Sequence, residues 1–244
     1  MAFSDRVLAR MHERVRDLIA TFGNCLDRFE AEKPFTGPSL YFHVKTRCML
    51  DRRRLITNCP PQAVAECIED KVFMEALYAT LTAWGLHRMG PGNAKLVDFG
   101  DFKTAFRRHK EAICDLASLR IDVPPDEKVE STRARLWELI ADLGIGPAER
   151  KIVRGSKALH HLLPDLLPPI DGEHTLRFFF QNPAFDEEKE RAAFREMYPC
   201  FRRVSTACAS QIRARLSGPG EWNTSITKII DNAIVGYVRG RGEV

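Results

Sequence analysis

Apolar residues recur along most of this chain at the three-to-four-residue spacing of one face of an α-helix, and stretches of strict alternation are scarce. Residues 4–31 read as one long amphipathic helix with a break at Gly23–Asn24, and the segment 33–39 reads as a loop. "LYFHVKTRCML" (40–50) fits a strand or a helical turn. After "NCPP" a helix is expected from Pro61 or Gln62 through residue 86, since proline suits a first helical turn. Two glycines and a proline in "HRMGPGN" (87–93) end it.

The helical period resumes at 94–119, with Gly100 separating a short helix from a longer one. Residues 120–133 read as a loop, 134–143 as a helix closed by "GIGP", and 156–163 and 172–181 as two further helices. A charged helix follows at 186–196, then helices over 200–216 and 223–238 separated by "SGPG". About ten helices and no convincing set of strands predict an all-α protein. With no repeat and no long linker, the expected organisation is one compact two-lobed unit over 1–244. A central lobe spans 62–182, and residues 1–61 with 183–244 form the second.

Composition changes this picture little. The chain has 244 residues, 44% hydrophobic and 29% charged, an ordinary globular balance. No apolar run approaches the roughly 18 residues of a membrane span, and the first residues read as a charged amphipathic helix, so a cytoplasmic protein is expected, nucleoid-associated if bacterial, and monomeric. Seven cysteines with no CxxC pair predict reduced core thiols and no structural metal. The net charge of +4 permits a polyanionic partner without requiring one. Basic residues gather at 43–54, 149–157, 201–215 and in the tail; each fits a solvated helix face, and together they fit a phosphate-tracking surface.

The informative segment is "LWELIADLGIGPAERKIVRGSKALHHLLPDLLPPIDGEHTLRFFF" (136–180). A helix runs into Gly144-Ile145-Gly146, a basic stretch and a short helix follow, and Pro168-Pro169-Ile170 then presents one carboxylate, Asp171, ahead of Gly172. Glycines at a turn between helices let the backbone approach a phosphate, and amides at the next helix N-terminus donate to it. On "DLGIGP" and "PPIDGEH", the segment resembles the helix-hairpin-helix superfamily of DNA glycosylases, and the second element is closest to the adenine-mismatch branch. The iron–sulfur loop of some branches has no counterpart here.

The resemblance implies a bilobal helical fold, double-stranded DNA as partner, no cofactor, and Asp171 as the catalytic acid. Two registers fit the hairpin. One uses Gly144 and Gly146 as the turn. The other uses "VRGSK" (153–157), with Gly155 as the close-approach glycine and Ser156 capping the next helix. Lys151, Arg154, Gly155 and Ser156 join Gly144 and Gly146 as expected DNA contacts.

One ionised carboxylate suffices for this chemistry, because breaking an N-glycosidic bond builds oxocarbenium character on the sugar. Asp171 would stabilise that charge and orient water; as a residue alone it reads first as an N-cap of the following helix, and the two roles are compatible. Lys157 would serve as a Schiff-base nucleophile in the second register or as a phosphate ligand, and a monofunctional enzyme is expected. Of His160 and His161, one would pack and the other face the site.

A glycosylase flips its base into a pocket. Trp84, His87, Arg88, Asn93 and Lys95 form the expected wall, with Tyr41 and His43 for stacking. An ordinary interhelix loop is the alternative for 83–99, and a buried pair is expected of Lys228 and Asp231. Few aromatics near the motif beside many polar residues favour a polar or sugar-bearing base. Both DNA repair and antiviral defence against phage DNA with modified, for example glucosylated, cytosines suit such an enzyme. A non-catalytic helix-hairpin-helix DNA-binding module and an all-α regulatory protein without nucleic acid are the rival readings.

Overall fold

The structure, a computed structural model, describes residues 3–35, 37–87, 94–123, 126–147, 150–181, 185–216 and 221–242. Among them are thirteen helices and no strand, so the protein is all-α. None of the described helices is long and apolar enough to cross a membrane.

The expected first helix is two: α1 (Asp5–Ala20) and α2 (Phe22–Glu32) break at Thr21, and Gly23 lies inside α2. The Thr21 hydroxyl donates to the Asp17 carbonyl at 2.8 Å and helps close the last turn of α1. The ambiguous stretch 40–50 belongs to α3 (Gly37–Thr57), a helix of 21 residues. Its buried stripe is Ser39, His43, Thr46 and Leu50, mostly polar, while Tyr41, Leu55 and Ile56 are exposed. Those polar groups are satisfied by neighbours. Ser39 donates to the Ala83 carbonyl at 2.9 Å, and the Thr46 and Thr80 hydroxyls meet at 2.9 Å.

Next come α4 (Pro60–Glu69) and α5 (Lys71–Ala83), where one continuous helix was expected. Asp70 divides them: its carboxylate accepts from the Val72 and Phe73 N–H groups, capping α5, and pairs with Arg53 at 2.9 Å. Helix α3 lies against both α4 and α5. Residues 94–98 are not helical; α6 (Phe99–Arg108) opens on an Asp98 cap, with Gly100 in its first turn, and α7 (Lys110–Cys114) follows.

Helix α8 (Asp126–Asp142) takes in much of the expected loop at 120–133, since its polar first turns carry little apolar signal. It packs on α9 (Lys151–His160). After α10 (Thr175–Phe180), α11 (Glu187–Ala207) runs unbroken where a gap was expected at 197–199, carrying Pro199 inside it. It is followed by α12 (Ala209–Leu216).

The last helix, α13 (Ile226–Gly240), is buried on every face from Ile226 to Val238. Helices α1, α2, α10, α11 and α12 pack around it. A side chain at Gly236 would collide with the Cys25 backbone, so this glycine sets how closely α2 crosses α13. The seven cysteines are free, and Cys25, Cys67, Cys200 and Cys208 are buried among the core apolar residues.

Candidate active site

Asp171 is held from both sides along the chain. Before it, Leu166, Leu167 and Ile170 are fully buried, and the Ile170 N–H donates to the Ser156 hydroxyl at 3.0 Å. After it, the chain turns into α10, and Asp171 Oδ1 accepts the His174 and Thr175 N–H groups at 2.7 and 3.0 Å. The Thr175 hydroxyl accepts the Asp171 N–H at 3.3 Å, and His174 Nδ1 stands 3.2 Å from Oδ2. The capping role is therefore present. Asp171 also lines a cavity of about 880 Å³.

Burial opposes ionisation of Asp171. The His174 hydrogen bond, the charge of Lys157 and the His174 backbone N–H outweigh it and hold the carboxyl well below the usual carboxylate range. Half-buried Lys157 lines the same cavity and donates to the Trp84 carbonyl at 3.0 Å. Burial pushes its amine down from the ordinary lysine range, against the pull of Asp171 and Asp231.

Three aromatic side chains wall the cavity: Phe35, Trp84 and Trp222. The rings of Phe35 and Trp222 are 5.3 Å apart, and the Trp84 indole N–H donates to the Ser39 carbonyl at 3.3 Å. Lys228 and Asp231 complete the floor as the expected buried pair, Nζ to Oδ2 at 2.5 Å, and Lys228 is only 2% exposed. Burial pushes the Asp231 carboxyl up, against the pull of Lys228. The expectation that aromatics are few here is overturned. Phe35 and Trp222 lie far from the aspartate segment in sequence, in connections flanking α3 and α13.

The segment between α8 and α9 contains the first of the two expected turns. Gly144 has φ +65°, a backbone conformation that glycine adopts without strain. Ile145 is buried, and its carbonyl accepts from the Val97 N–H at 3.1 Å. A side chain at Gly146 would collide with the Lys95 carbonyl and the Arg154 side chain, so internal packing already requires glycine there.

The second register is corrected by helix α9. It begins at Lys151, so Gly155 and Ser156 lie inside it and neither makes a turn or a cap. Gly155 faces α8, where a Cβ would come within 2.9 Å of the Ile140 backbone. Ser156 instead orders the aspartate segment through Ile170.

Arg154 is buried, and its guanidinium donates to the Pro147 carbonyl. At the start of α9, the Ile152 N–H donates to the buried Glu190 carboxylate at 3.1 Å, so that amide is turned inward. Arg150, with φ 57°, is exposed on the cavity rim, and Lys151 is half-buried. The basic stretch 43–54 is largely paired: Arg47 with Asp51, Arg53 with Glu66 and Asp70, Arg54 with Asp165.

Of the expected base-pocket residues, Trp84 and Lys95 reach the cavity wall, and the Lys95 ammonium donates to the Gly85 carbonyl at 3.0 Å. His87 is partly buried outside the lining, and Arg88 and Asn93 lie outside the described residues. Tyr41 is an exposed residue on α3, away from the lining. His43 is buried behind the wall, stacked on Trp222 with ring centres 5.5 Å apart.

His160 and His161 both pack there, so neither faces the site as one was expected to. His43 Nδ1 is 3.3 Å from His161 Nε2, and His43 Nε2 is 2.7 Å from the Thr224 hydroxyl. The Leu167 and Lys157 carbonyls hold His160 and His161 through their Nδ1 atoms at 2.9 and 2.8 Å. Burial pushes all three imidazoles down, His161 to about 4, and their mutual proximity adds to the shift of His43 and His160.

Among the described residues no group of three His, Cys, Asp or Glu is arranged to hold a metal ion. No protein-family model, curated protein or solved structure matches the chain.

Proposed function

We propose that the protein is a monofunctional DNA glycosylase of the helix-hairpin-helix type, acting on double-stranded DNA without a cofactor. The observation that carries this reading is Asp171: a carboxylate kept ionised, clamped by two backbone amides, and open to a large aromatic-walled cavity. In this reading an altered base leaves the duplex and stacks against Trp84 and Trp222. As the C1′–N bond breaks, the electron pair leaves with the base, and the Asp171 charge stabilises the positive sugar. Water adds its oxygen to C1′, and its proton leaves by way of the carboxylate to the departing base or solvent. Lys157 keeps Asp171 ionised. The Gly144–Gly146 turn and Arg150 meet the DNA backbone at the rim.

The test is Asp171→Asn, assayed for duplex binding and for base release on the same purified protein. Binding should persist and release should fall by about a hundredfold or more, the scale of one lost electrostatic contact in the transition state. Full release by the variant would end this reading. Binding without release in either protein would favour a non-catalytic DNA-binding module. Mass spectrometry of bases released from damaged DNA and from phage DNA with modified cytosines separates a repair role from a defence role.

A further inference from the structure

Lys228 is the least expected residue of the cavity floor. Its ammonium lies 5.4, 5.3 and 5.0 Å from the ring centres of Phe35, Trp84 and Trp222, so the chain's own cation fills an aromatic cage. It makes one hydrogen bond among the described residues, to Asp231 Oδ2, which leaves two N–H groups with no acceptor atom. Asp231, one helical turn along α13, lines the cavity beside it.

We infer that this floor is a subsite for an uncharged planar heterocycle, read along an edge where a ring nitrogen or carbonyl accepts from Lys228 and a neighbouring N–H donates to Asp231, and that it excludes bases carrying a positive charge. The inference rests on the proposed function only in taking the ligand to be a nucleobase. A ring stacked on Trp84 or Trp222 lies next to the caged ammonium. A cationic base there would meet a second positive charge in a desolvated site whose attraction for cations is already satisfied. An anionic base would meet Asp171 and Asp231. A neutral base with an acceptor beside a donor avoids both penalties and uses the unfilled hydrogen-bonding capacity of Lys228.

The chain has three tryptophans, and two of them wall the cavity, so intrinsic fluorescence reads binding without any catalysis. Adenosine and cytidine are the neutral probes; 1-methyladenosine and 3-methylcytidine, cations at pH 7, are the charged ones. The wild-type protein should bind the neutral pair at least roughly tenfold more tightly than the charged pair. Lys228→Met empties the cage and removes both the opposing positive charge and the partner that holds Asp231 ionised, so the preference for neutral probes should be lost. If that variant does not fold, because a buried carboxylate has lost its partner, the double variant Lys228→Met/Asp231→Asn removes both charges. It should melt near the wild-type temperature and lose the preference for neutral probes. Equal binding of neutral and charged probes, binding of none of them, or a folded variant that keeps the wild-type preference would each overturn the inference. Selective binding in a protein that releases no base would sink the glycosylase reading and leave this subsite standing; base release without the selectivity would do the reverse.

Discussion

His174 Nδ1 stands 3.2 Å from Asp171 Oδ2, while the other carboxylate oxygen is occupied by the His174 and Thr175 backbone N–H groups. His174 thus contacts both oxygens of the acid, one through its backbone N–H and the other through its ring. The imidazole is itself fixed: its side chain is 5% exposed, and its ring meets Phe35 edge to face. The clamp leaves the carboxylate little freedom to rotate.

The first prediction concerns this contact. Asp171 is held below its ordinary value partly by His174, so its ionised form stabilises the fold above about pH 4, and that contribution is lost as the pH falls. Replacing the imidazole with an amide, His174→Gln, should raise the Asp171 pKa and move the acid limb of base release to higher pH. Carboxyl NMR titration of the variant reads the same change without activity. A titration identical to wild type would show that the backbone amides and Lys157 suffice.

Asp171→Asn should keep the cap but lose the stability carried by the charge. The amide oxygen still accepts both backbone N–H groups, while the ionic contribution of Lys157 and His174 is gone, so the loss in urea unfolding should exceed the roughly 1 kcal/mol of a cap alone. A loss of no more than about 1 kcal/mol would mean that the charge contributes nothing to the fold.

Gly155 and Gly144 should respond in different ways to substitution. Gly155→Val drives a branched side chain into the Ile140 backbone and should destabilise by about 3 kcal/mol or more, with loss of helix packing visible in thermal melts. Gly144→Ala meets nothing closer than 3.6 Å and bears only the left-handed backbone cost, about 1 kcal/mol. Equal losses at the two sites would contradict the packing of α8 on α9.

The buried histidines predict an acid-sensitive fold. His43, His160 and His161 are held neutral, with folded pKa values below the ordinary 6.5. The unfolded chain therefore binds more protons as the pH falls, and the stability these groups supply is complete above pH 6.5 and declines from there toward about 4. Unfolding free energies measured from pH 7.5 to 4.5 should fall accordingly, and His161→Gln should flatten the slope. A slope unchanged in that variant would assign the acid sensitivity elsewhere.

Local pattern by itself determined the helical class and the Asp171 frame, because helical periodicity and the conformational limits of proline and glycine act within a few residues. It also determined that Lys228 and Asp231, three positions apart on one helix, would meet. It left the 40–50 part of α3 open between strand and helix because a polar buried stripe carries no apolar signal, and it misread the charged first turns of α8 as a loop for the same reason. Gly155 looked like a turn glycine, since a glycine needed for close helix packing leaves the same letter in the sequence as one needed for positive φ. Only the tertiary structure decided what surrounds the acid. Phe35, Trp84 and the Trp222–Lys228 segment come from three separate parts of the chain, and the tertiary fold gathers them around the cavity that Asp171 lines. No local rule links those positions, because the contact between them is created by burial around a shared core.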